Sequence, residues 1–251
     1  MSVIAIANRK GGATKTTTAV NVGAELAARG FQVTILDLDS QGNAGSYLGI
    51  DRSSALIEAL EAGEELAPLA QQSEVEGLSV IAASRALDDP IERGDRPWVF
   101  DERPHHLAKA IESVSADFIL IDCPPSLNFW TRSALAAADY LLIPFVASSV
   151  NVDGLGDMLD AMNTIRSRYN VGLEVIGAVA TMFENTNAAA SAFDDACDRI
   201  GDLVFDAYVR KNVAVTDSYT YKKPVREHAP SSNGAADYKD VTTELLERID
   251  G

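Results

Sequence analysis

The stretch Asn8–Thr17 constrains the fold of this chain more than any other part of the sequence. It reads Asn-Arg-Lys-Gly-Gly-Ala-Thr-Lys-Thr-Thr and follows a short apolar run, Val3–Ala7, that is typical of a buried strand. Helical apolar spacing begins directly afterwards, over Thr16–Arg29, and Gly30 ends it. A glycine-rich turn between a buried strand and a helix brings backbone N–H groups and the helix dipole close to phosphate oxygens. The stretch therefore predicts a phosphate-binding loop.

The rest of the chain repeats the alternation of strand, loop and helix. Continuous apolar runs predict further buried strands at Gln32–Leu38, Phe118–Ile121, Tyr140–Val146 and Glu174–Thr181. Helical spacing predicts helices at Ser54–Ala62, Glu102–Ser115, Asn128–Ala138, Asp153–Arg168, Ala188–Ile200 and about Ala235–Ile249. Asp88–Pro104 is polar and contains three prolines, which predicts a surface excursion. We therefore expect one α/β domain over residues 1–251, a doubly wound, mostly parallel twisted sheet with helices on both faces.

Composition excludes several classes of protein. The chain has 251 residues, 47% of them hydrophobic, and no apolar run approaches the roughly 20 residues that a membrane span needs. Cys123 and Cys197 form no CxxC pair, and no secretory signal is present, so we expect a cytoplasmic protein. The net charge of −16 fits either an ordinary acidic surface or adaptation to high salt. It opposes nucleic-acid binding unless basic residues form a local patch.

The phosphate loop departs from the strict pattern G-x-x-x-x-G-K-[ST]. Arg9 and Thr14 stand where the two glycines belong, and what remains is the variant K-G-G-x-x-K-[ST]. We expect Lys15 to reach the β- and γ-phosphates and the Thr16 hydroxyl to ligate Mg²⁺. The predicted nucleotide contacts are Lys10, Gly11, Gly12, Ala13, Thr14, Lys15, Thr16 and Thr17. A plain surface turn is the alternative interpretation of the glycine pair.

Two carboxylates follow predicted strands at the same edge of the sheet. Asp39, in the run Asp37–Asn43, could orient an attacking water or hold the metal's water shell. Asp122 ends the apolar run Phe118–Ile121, where a carboxylate binds Mg²⁺ through water. Each aspartate alone would also fit an ordinary turn or strand cap. The predicted metal site is Thr16, Asp39 and Asp122.

These three motifs, in this order and spacing, resemble the ParA/MinD class of deviant Walker A P-loop ATPases over nearly the whole chain. The resemblance implies ATP and Mg²⁺ as cofactors, with Lys10, Lys15 and Asp39 as catalytic residues. Lys10 matches the signature lysine, which crosses a dimer interface to the ATP of the other subunit. Asp39 lies in a run similar to switch I, with Ser40 in place of proline, and would position the hydrolytic water. Cys123-Pro124-Pro125-Ser126 is similar to switch II, and Cys123 itself is interpreted as a packing residue.

The resemblance extends into the C-terminal half. Asn151–Leu155 resembles a segment at the dimer interface, where Asp153 could equally be a helix cap. Tyr208–Val213 resembles the stretch that lines the adenine pocket, which implies base contacts from Arg210 and Asn212, although Arg210 could instead face solvent. Five basic residues are either scattered solvated charges or a patch for DNA phosphates: Arg210, Lys211, Lys222, Lys223 and Arg226.

The implied function is partitioning or positioning of DNA or another intracellular cargo. ATP would drive homodimerisation, the dimer would bind non-specific DNA of the nucleoid, and a ParB-like or other cargo adaptor would stimulate hydrolysis. Because the phosphate motif begins at residue 8, we expect the short, Soj-like form without a preceding operator-binding domain.

Two other functional classes remain open at this point. A membrane-surface ATPase like MinD needs a basic amphipathic C-terminal helix, and this chain ends in a short acidic one. A metabolic relative, such as a nitrogenase iron protein or a cobyrinic-acid synthase, is the third class. An iron–sulfur bridge between subunits would need suitably placed cysteines, and neither Cys123 nor Cys197 fits that role well.

Overall fold

The computed structural model describes residues 1–12, 14–87 and 105–251. The strands in these ranges are β1 Ser2–Ile6, β2 Val33–Asp37, β3 Gln71–Gln72, β4 Leu78–Ile81, β5 Phe118–Asp122, β6 Tyr140–Val146 and β7 Glu174–Thr181. The helices are α1 Lys15–Ala28, α2 Asn43–Tyr47, α3 Ala55–Ala62, α4 His105–Ile111, α5 Phe129–Ala137, α6 Ser149–Arg168, α7 Asn187–Ile200, α8 Val213–Thr220, α9 Val225–His228 and α10 Asn233–Asp250. Short 3-10 turns cover Ala67–Leu69, Arg85–Leu87 and Gly201–Leu203.

All the strands described belong to one sheet with the order β3-β4-β2-β5-β1-β6-β7. Every neighbouring pair is parallel except β3 and β4, which are antiparallel at one edge. Strands β2 and β5 are in register so that Asp37 lies opposite Asp122, and β1 ends with Ile6 opposite the same Asp122. The carboxyl ends of these three strands therefore meet at one place, which is where a doubly wound fold binds its ligand.

Each central strand contributes alternate side chains to two hydrophobic layers. In β1, Val3 and Ala5 pack into one layer and Ile4 and Ile6 into the other. The first layer lies under α3 to α7 and the second under α1, α2 and α8 to α10. Because both faces of the strands are buried, their sequences are continuously apolar rather than alternating.

The expected fold class is confirmed, and each of the five predicted strands is present within about one residue of its predicted bounds. The pattern missed β3 and β4, which are short, and β3 consists of two exposed glutamines. It also missed α2, α8 and α9. Helix α8 is rich in valine, threonine and tyrosine, which favour strands, and its N-terminus depends on the Asn212 side chain, which accepts from Ala214 N–H at 2.8 Å.

Part of the predicted organisation falls outside the described residues. This holds for the whole surface excursion from Asp88 to Pro104 and for the start of the predicted helix Glu102–Ser115. The one-domain boundary, 1–251, stays a prediction. None of the helices in the described ranges combines the length and the hydropathy that crossing a bilayer requires.

Strand β7 contains a bulge that depends on Gly177. The pairing with β6 shifts between Leu141 and Leu142, so that Leu142 pairs with Gly177. Gly177 has φ +149°, and a Cβ there would lie 2.5 Å from Phe205 Cε1 and 2.6 Å from the Leu203 carbonyl oxygen. Phe205 is fully buried, and the Arg248 guanidinium covers its ring at 4.2 Å. The two nearest atoms thus belong to a fully buried ring and to the backbone, and neither is the far end of a flexible side chain.

We expect Gly177→Ala to lower the free energy of unfolding by roughly 2–4 kcal/mol, because it combines a clash with an unfavourable φ. Urea unfolding of the nucleotide-free protein measures this. Gly156→Ala is the matched control, since Gly156 is exposed inside α6 and a Cβ there meets no atom within 4 Å. That control should stabilise the helix by up to about 1 kcal/mol. Equal effects of the two substitutions would contradict the role assigned to the bulge.

Candidate functional site

A cavity of about 420 Å³ opens where the carboxyl ends of β1, β2 and β5 meet. Its size is typical of sites for small ligands. The residues that line it are Gly11, Gly12, Thr14, Lys15, Thr16, Thr17, Asp39, Gln41, Asn43, Tyr47, Pro125 and Tyr219. The structure thus brings three predicted motifs around one cavity: the phosphate loop, the Asp39 segment (Asp37–Asn43) and the Pro125 segment (Cys123–Ser126). Ala13, predicted as a further contact, lies outside the described residues.

Hydrogen bonds from Asn8 hold the start of the phosphate loop. Its side-chain amide donates to the Pro144 carbonyl of β6 at 2.8 Å, and its Oδ1 accepts from the Lys10 N–H at 3.1 Å. The end of the loop is the N-terminus of α1, whose first N–H groups have no partner within the helix. The preceding residue, Thr14, offers no side-chain cap, so its hydroxyl does not compete with an anion for these donors.

Thr14 occupies a backbone conformation that is uncommon for its type. Its φ of +56° and ψ of +23° are left-handed, and threonine is β-branched. Its hydroxyl donates to Thr181 Oγ1 at 2.7 Å, which links the loop to the end of β7. The loop therefore turns at Thr14 as it would at the glycine of the strict pattern, with the Thr181 contact in addition.

Lys15 is the buried cation of the site. It is 6% exposed, and its Nζ lies 3.5 Å from the Lys10 carbonyl oxygen. Burial lowers the pKa of Lys15, and the negative charges of Asp122 and Asp39 act in the opposite direction. A buried ammonium beside a cavity is paired strongly with whatever anion enters, because little water screens the interaction.

Asp122 is fully buried at the end of β5. Burial raises the pKa of its carboxyl to about 7, although the nearby Thr16 hydroxyl and Lys15 ammonium favour the charged form. Neither of its oxygens accepts a hydrogen bond of normal geometry from the residues that the structure describes. A buried carboxylate with open acceptor positions is costly unless a cation or water completes it.

These unsatisfied oxygens fit the predicted magnesium site. Mg²⁺ takes oxygen ligands and usually keeps several waters while it binds one or two carboxylates and substrate phosphates. No group of three or more acidic, histidine or cysteine residues in the described ranges could hold a metal alone. Thr16 and Asp122 would hold Mg²⁺ together with phosphate oxygens, and the ion would neutralise charge on those phosphates.

Asp37, which the sequence analysis did not assign, organises the segment that carries Asp39. It is fully buried, and its carboxylate accepts from the Asp39 N–H and the Ala44 N–H, both at 3.0 Å. Burial and the adjacent Asp122 raise the pKa of Asp37. Asp39 itself is half-buried at the cavity wall, and its Oδ1 accepts from the Gln41 N–H at 3.0 Å. Asp39 thus keeps an oxygen for another partner.

Lys10 is not among the described residues that line the cavity. Its aliphatic chain runs along α6, where a Cβ on Gly154 would lie 3.6 Å from Lys10 Cε. The lysine side chain therefore lies in van der Waals range of this part of α6. Asp153 also belongs to α6, and its side chain lies outside the described residues.

The predicted adenine residues have other partners in this structure. The Arg210 guanidinium forms an ion pair with Asp237, and the Arg210 N–H donates to the same carboxylate at 3.0 Å. Asn212 caps α8. Neither is among the described residues that line the cavity, so their contacts with a base stay predictions. Instead Tyr47 and Tyr219 line one side, with their rings edge to face and 5.2 Å apart.

Three of the five basic residues considered for DNA are neutralised by acids. Besides Arg210, Lys211 pairs with Glu184 at 2.7 Å and Arg226 with Glu25 at 2.9 Å. Lys222 and Lys223 have no carboxylate within ion-pair distance among the residues described. They lie in the turn between α8 and α9.

Sequence comparison identifies relatives over nearly the full chain. Residues 1–175 match a family described as an AAA domain. The chromosome partitioning protein ParA of Caulobacter vibrioides is 35% identical over 99% of this chain and 95% of its own. The chromosome-partitioning ATPase Soj of Thermus thermophilus is 32% identical over 98% of this chain and 96% of its own.

Solved structures agree with the fold. The cobyrinic acid a,c-diamide synthase of Mycobacterium smegmatis, with bound ADP and magnesium, has a TM-score of 0.83 and 26% identity over 100% of this chain and 96% of its own. A variant of Cyanothece McdA in complex with ATP has a TM-score of 0.84 at 20% identity over 100% of this chain and 96% of its own. The identity to ParA and Soj over almost the whole chain, together with the AAA-domain match, shows that this protein belongs to the ParA/Soj family of partitioning ATPases.

Proposed function

We propose that this protein is an ATP-switched homodimer that partitions or positions an intracellular cargo, with ATP and Mg²⁺ as cofactors. ATP binds in the cavity between the phosphate loop and the Asp39 segment. The bound nucleotide holds two subunits together, the dimer binds non-specific DNA, and a ParB-like or other adaptor stimulates hydrolysis. Its location is the cytoplasm, at the nucleoid. The identity to ParA and Soj supports the partitioning role.

The position of Lys10 carries the dimer proposal. Lys10 directly precedes the glycine pair of the phosphate loop, yet its side chain extends along α6 and not into the cavity of its own subunit. It is half-buried, and none of the carboxylate side chains that the structure describes pairs with it. A lysine in this position beside a phosphate site is suited to the phosphates of a second subunit placed against it.

Asp39 is the residue for hydrolysis in this proposal. Its carboxylate lies in the cavity wall, near the start of the loop between β2 and α2, and it accepts one hydrogen bond from the described part of the chain. A carboxylate that orients the attacking water contributes to the transition state and little to ATP binding. Lys15 would pair with the β- and γ-phosphates and stabilise the charge that develops on them.

The matrix in this proposal is DNA rather than a membrane. The apolar residues near the end of α10 pack against the protein's own core, where Leu245 is fully buried and Leu246 and Ile249 lie against it. A helix that binds a membrane surface needs such residues exposed. Lys222 and Lys223 offer cations for phosphates, although Glu74 and Glu227 line the same small cavity beside them.

The first test of the dimer is Lys10→Ala. We expect this variant to bind MgATP and to remain monomeric on gel filtration, because the lysine that it lacks acts on the nucleotide of the other subunit. Lys15→Ala is the contrasting variant and should lose at least about 10-fold in nucleotide affinity with the loss of a buried charge-assisted contact. An ATP-dependent Lys10→Ala dimer would count against the cross-subunit role.

The second test concerns Asp39. Asp39→Ala should bind MgATP close to the wild-type affinity, form a persistent dimer and lose roughly 10²–10⁴-fold in hydrolysis rate. Single-turnover phosphate release and gel filtration measure the two effects. Asp39→Asn keeps an acceptor for the Gln41 N–H and controls for damage to the loop. Wild-type turnover in Asp39→Ala would show that another group orients the water.

The third test concerns DNA. In an Asp39→Ala background with ATP, Lys222→Ala combined with Lys223→Ala should weaken non-specific duplex binding and reduce the salt slope by about 2. Lys109→Ala with Lys239→Ala is the matched control, because it removes the same charge from two exposed lysines on α4 and α10. Equal losses in both pairs would locate the DNA contact elsewhere.

A further inference from the structure

Two hydrogen bonds connect the phosphate loop to strands β7 and β6 of the sheet. Thr14 Oγ1 donates to Thr181 Oγ1 at 2.7 Å, and Thr181 Oγ1 donates to the Phe145 carbonyl oxygen at 3.1 Å. A threonine hydroxyl has one proton. Since Thr181 gives its proton to Phe145, it can only accept from Thr14, and the chain of bonds has a fixed direction.

The acceptor in this chain of bonds is rigid. Thr181 is the last residue of β7 and is 1% exposed, and Phe145 lies within β6 and is fully buried. The two strands are paired along their length, with Phe145 opposite Ala180 and Val146 opposite Thr181. The hydroxyl that receives the Thr14 proton is therefore placed by the sheet and not by the loop.

Thr14 needs such support because of its backbone. A left-handed conformation is strained for a non-glycine residue, and a β-branched side chain is among the least suited to it. Thr14 directly precedes Lys15 and the first turn of α1. If φ at Thr14 left the left-handed region, the N–H groups of that turn and the Lys15 side chain would change their direction relative to the cavity.

We propose that Thr181 is a positioning residue for the phosphate loop: its hydroxyl holds Thr14 in the left-handed conformation in which the loop binds phosphate. Thr181 is not among the described residues that line the cavity, so it acts through Thr14. A glycine at position 14 would adopt the same φ without a partner. The two threonines therefore form a functional pair, and the contribution of one depends on the presence of the other.

A double-mutant cycle on MgADP affinity tests this dependence, with calorimetry on the full chain. Thr181→Val removes the hydroxyl at nearly constant shape and should weaken MgADP binding by about 5–20-fold when Thr14 is present, the loss of one supporting hydrogen bond. In the Thr14→Gly background the same substitution should change the affinity by less than about 2-fold, because glycine needs no support. Thr181→Ser retains the hydroxyl and should restore wild-type binding.

The free energy of unfolding separates this role from a structural one. Thr181→Val also leaves the Phe145 carbonyl without its donor, which lowers stability in both backgrounds alike. Only a positioning role makes the loss of affinity depend on residue 14. Equal weakening of MgADP binding in both backgrounds would overturn the proposal, and so would unchanged affinity in Thr181→Val alone.

This cycle is independent of the dimer. It uses MgADP and one subunit, so a failure of ATP-dependent dimerisation would affect the proposed function and leave the Thr14–Thr181 result to be judged by itself.

Discussion

The central constraint in this protein is the burial of two carboxylates side by side at the end of the sheet. Asp37 and Asp122 lie opposite each other on adjacent strands, and both are fully buried. Asp37 is satisfied by two backbone N–H groups, whereas Asp122 has no such partner among the residues that the structure describes and faces the buried Lys15. Such an arrangement is costly in the free protein. A divalent cation with a polyphosphate would supply both the positive charge near Asp122 and the negative charge near Lys15.

The two buried aspartates have different roles in this arrangement. Asp37 gives its carboxylate to the backbone and so fixes the course of the loop that carries Asp39. Asp122 leaves its oxygens open and so remains able to bind a metal's water shell. The two aspartates have the same burial but different neighbours: Asp37 has two backbone N–H donors, and Asp122 lies near the Lys15 ammonium and the Thr16 hydroxyl.

The parts of the site that could be predicted are those encoded within a few residues. Lys15, Thr16 and Asp122 each lie next to a strand or a helix end, and the continuous apolar strands determine that these ends meet. Contacts between segments that are distant in the sequence could not be predicted in this way. Thr14 and Thr181 are separated by 167 positions, and the Tyr47–Tyr219 pair joins two helices, one of which lacks helical periodicity. The five basic residues considered for DNA are visible in the sequence only as positive charges. Asp237 neutralises Arg210 and Glu25 neutralises Arg226, and both acids lie elsewhere in the chain.

Helix α1 is covered by the C-terminal part of the chain, and this affects what can count as a folding unit. Asn21 of α1 accepts from the Val225 N–H at 2.7 Å, and α10 packs against α1 with Tyr238 and Val241 nearly or fully buried. The AAA-domain match ends at residue 175, before any of these partners. A fragment cut at that boundary would retain every phosphate-loop residue and would expose the apolar side of the helix that the loop begins. The residues that match the family thus end at 175, whereas the residues that shield α1 from water extend into α10.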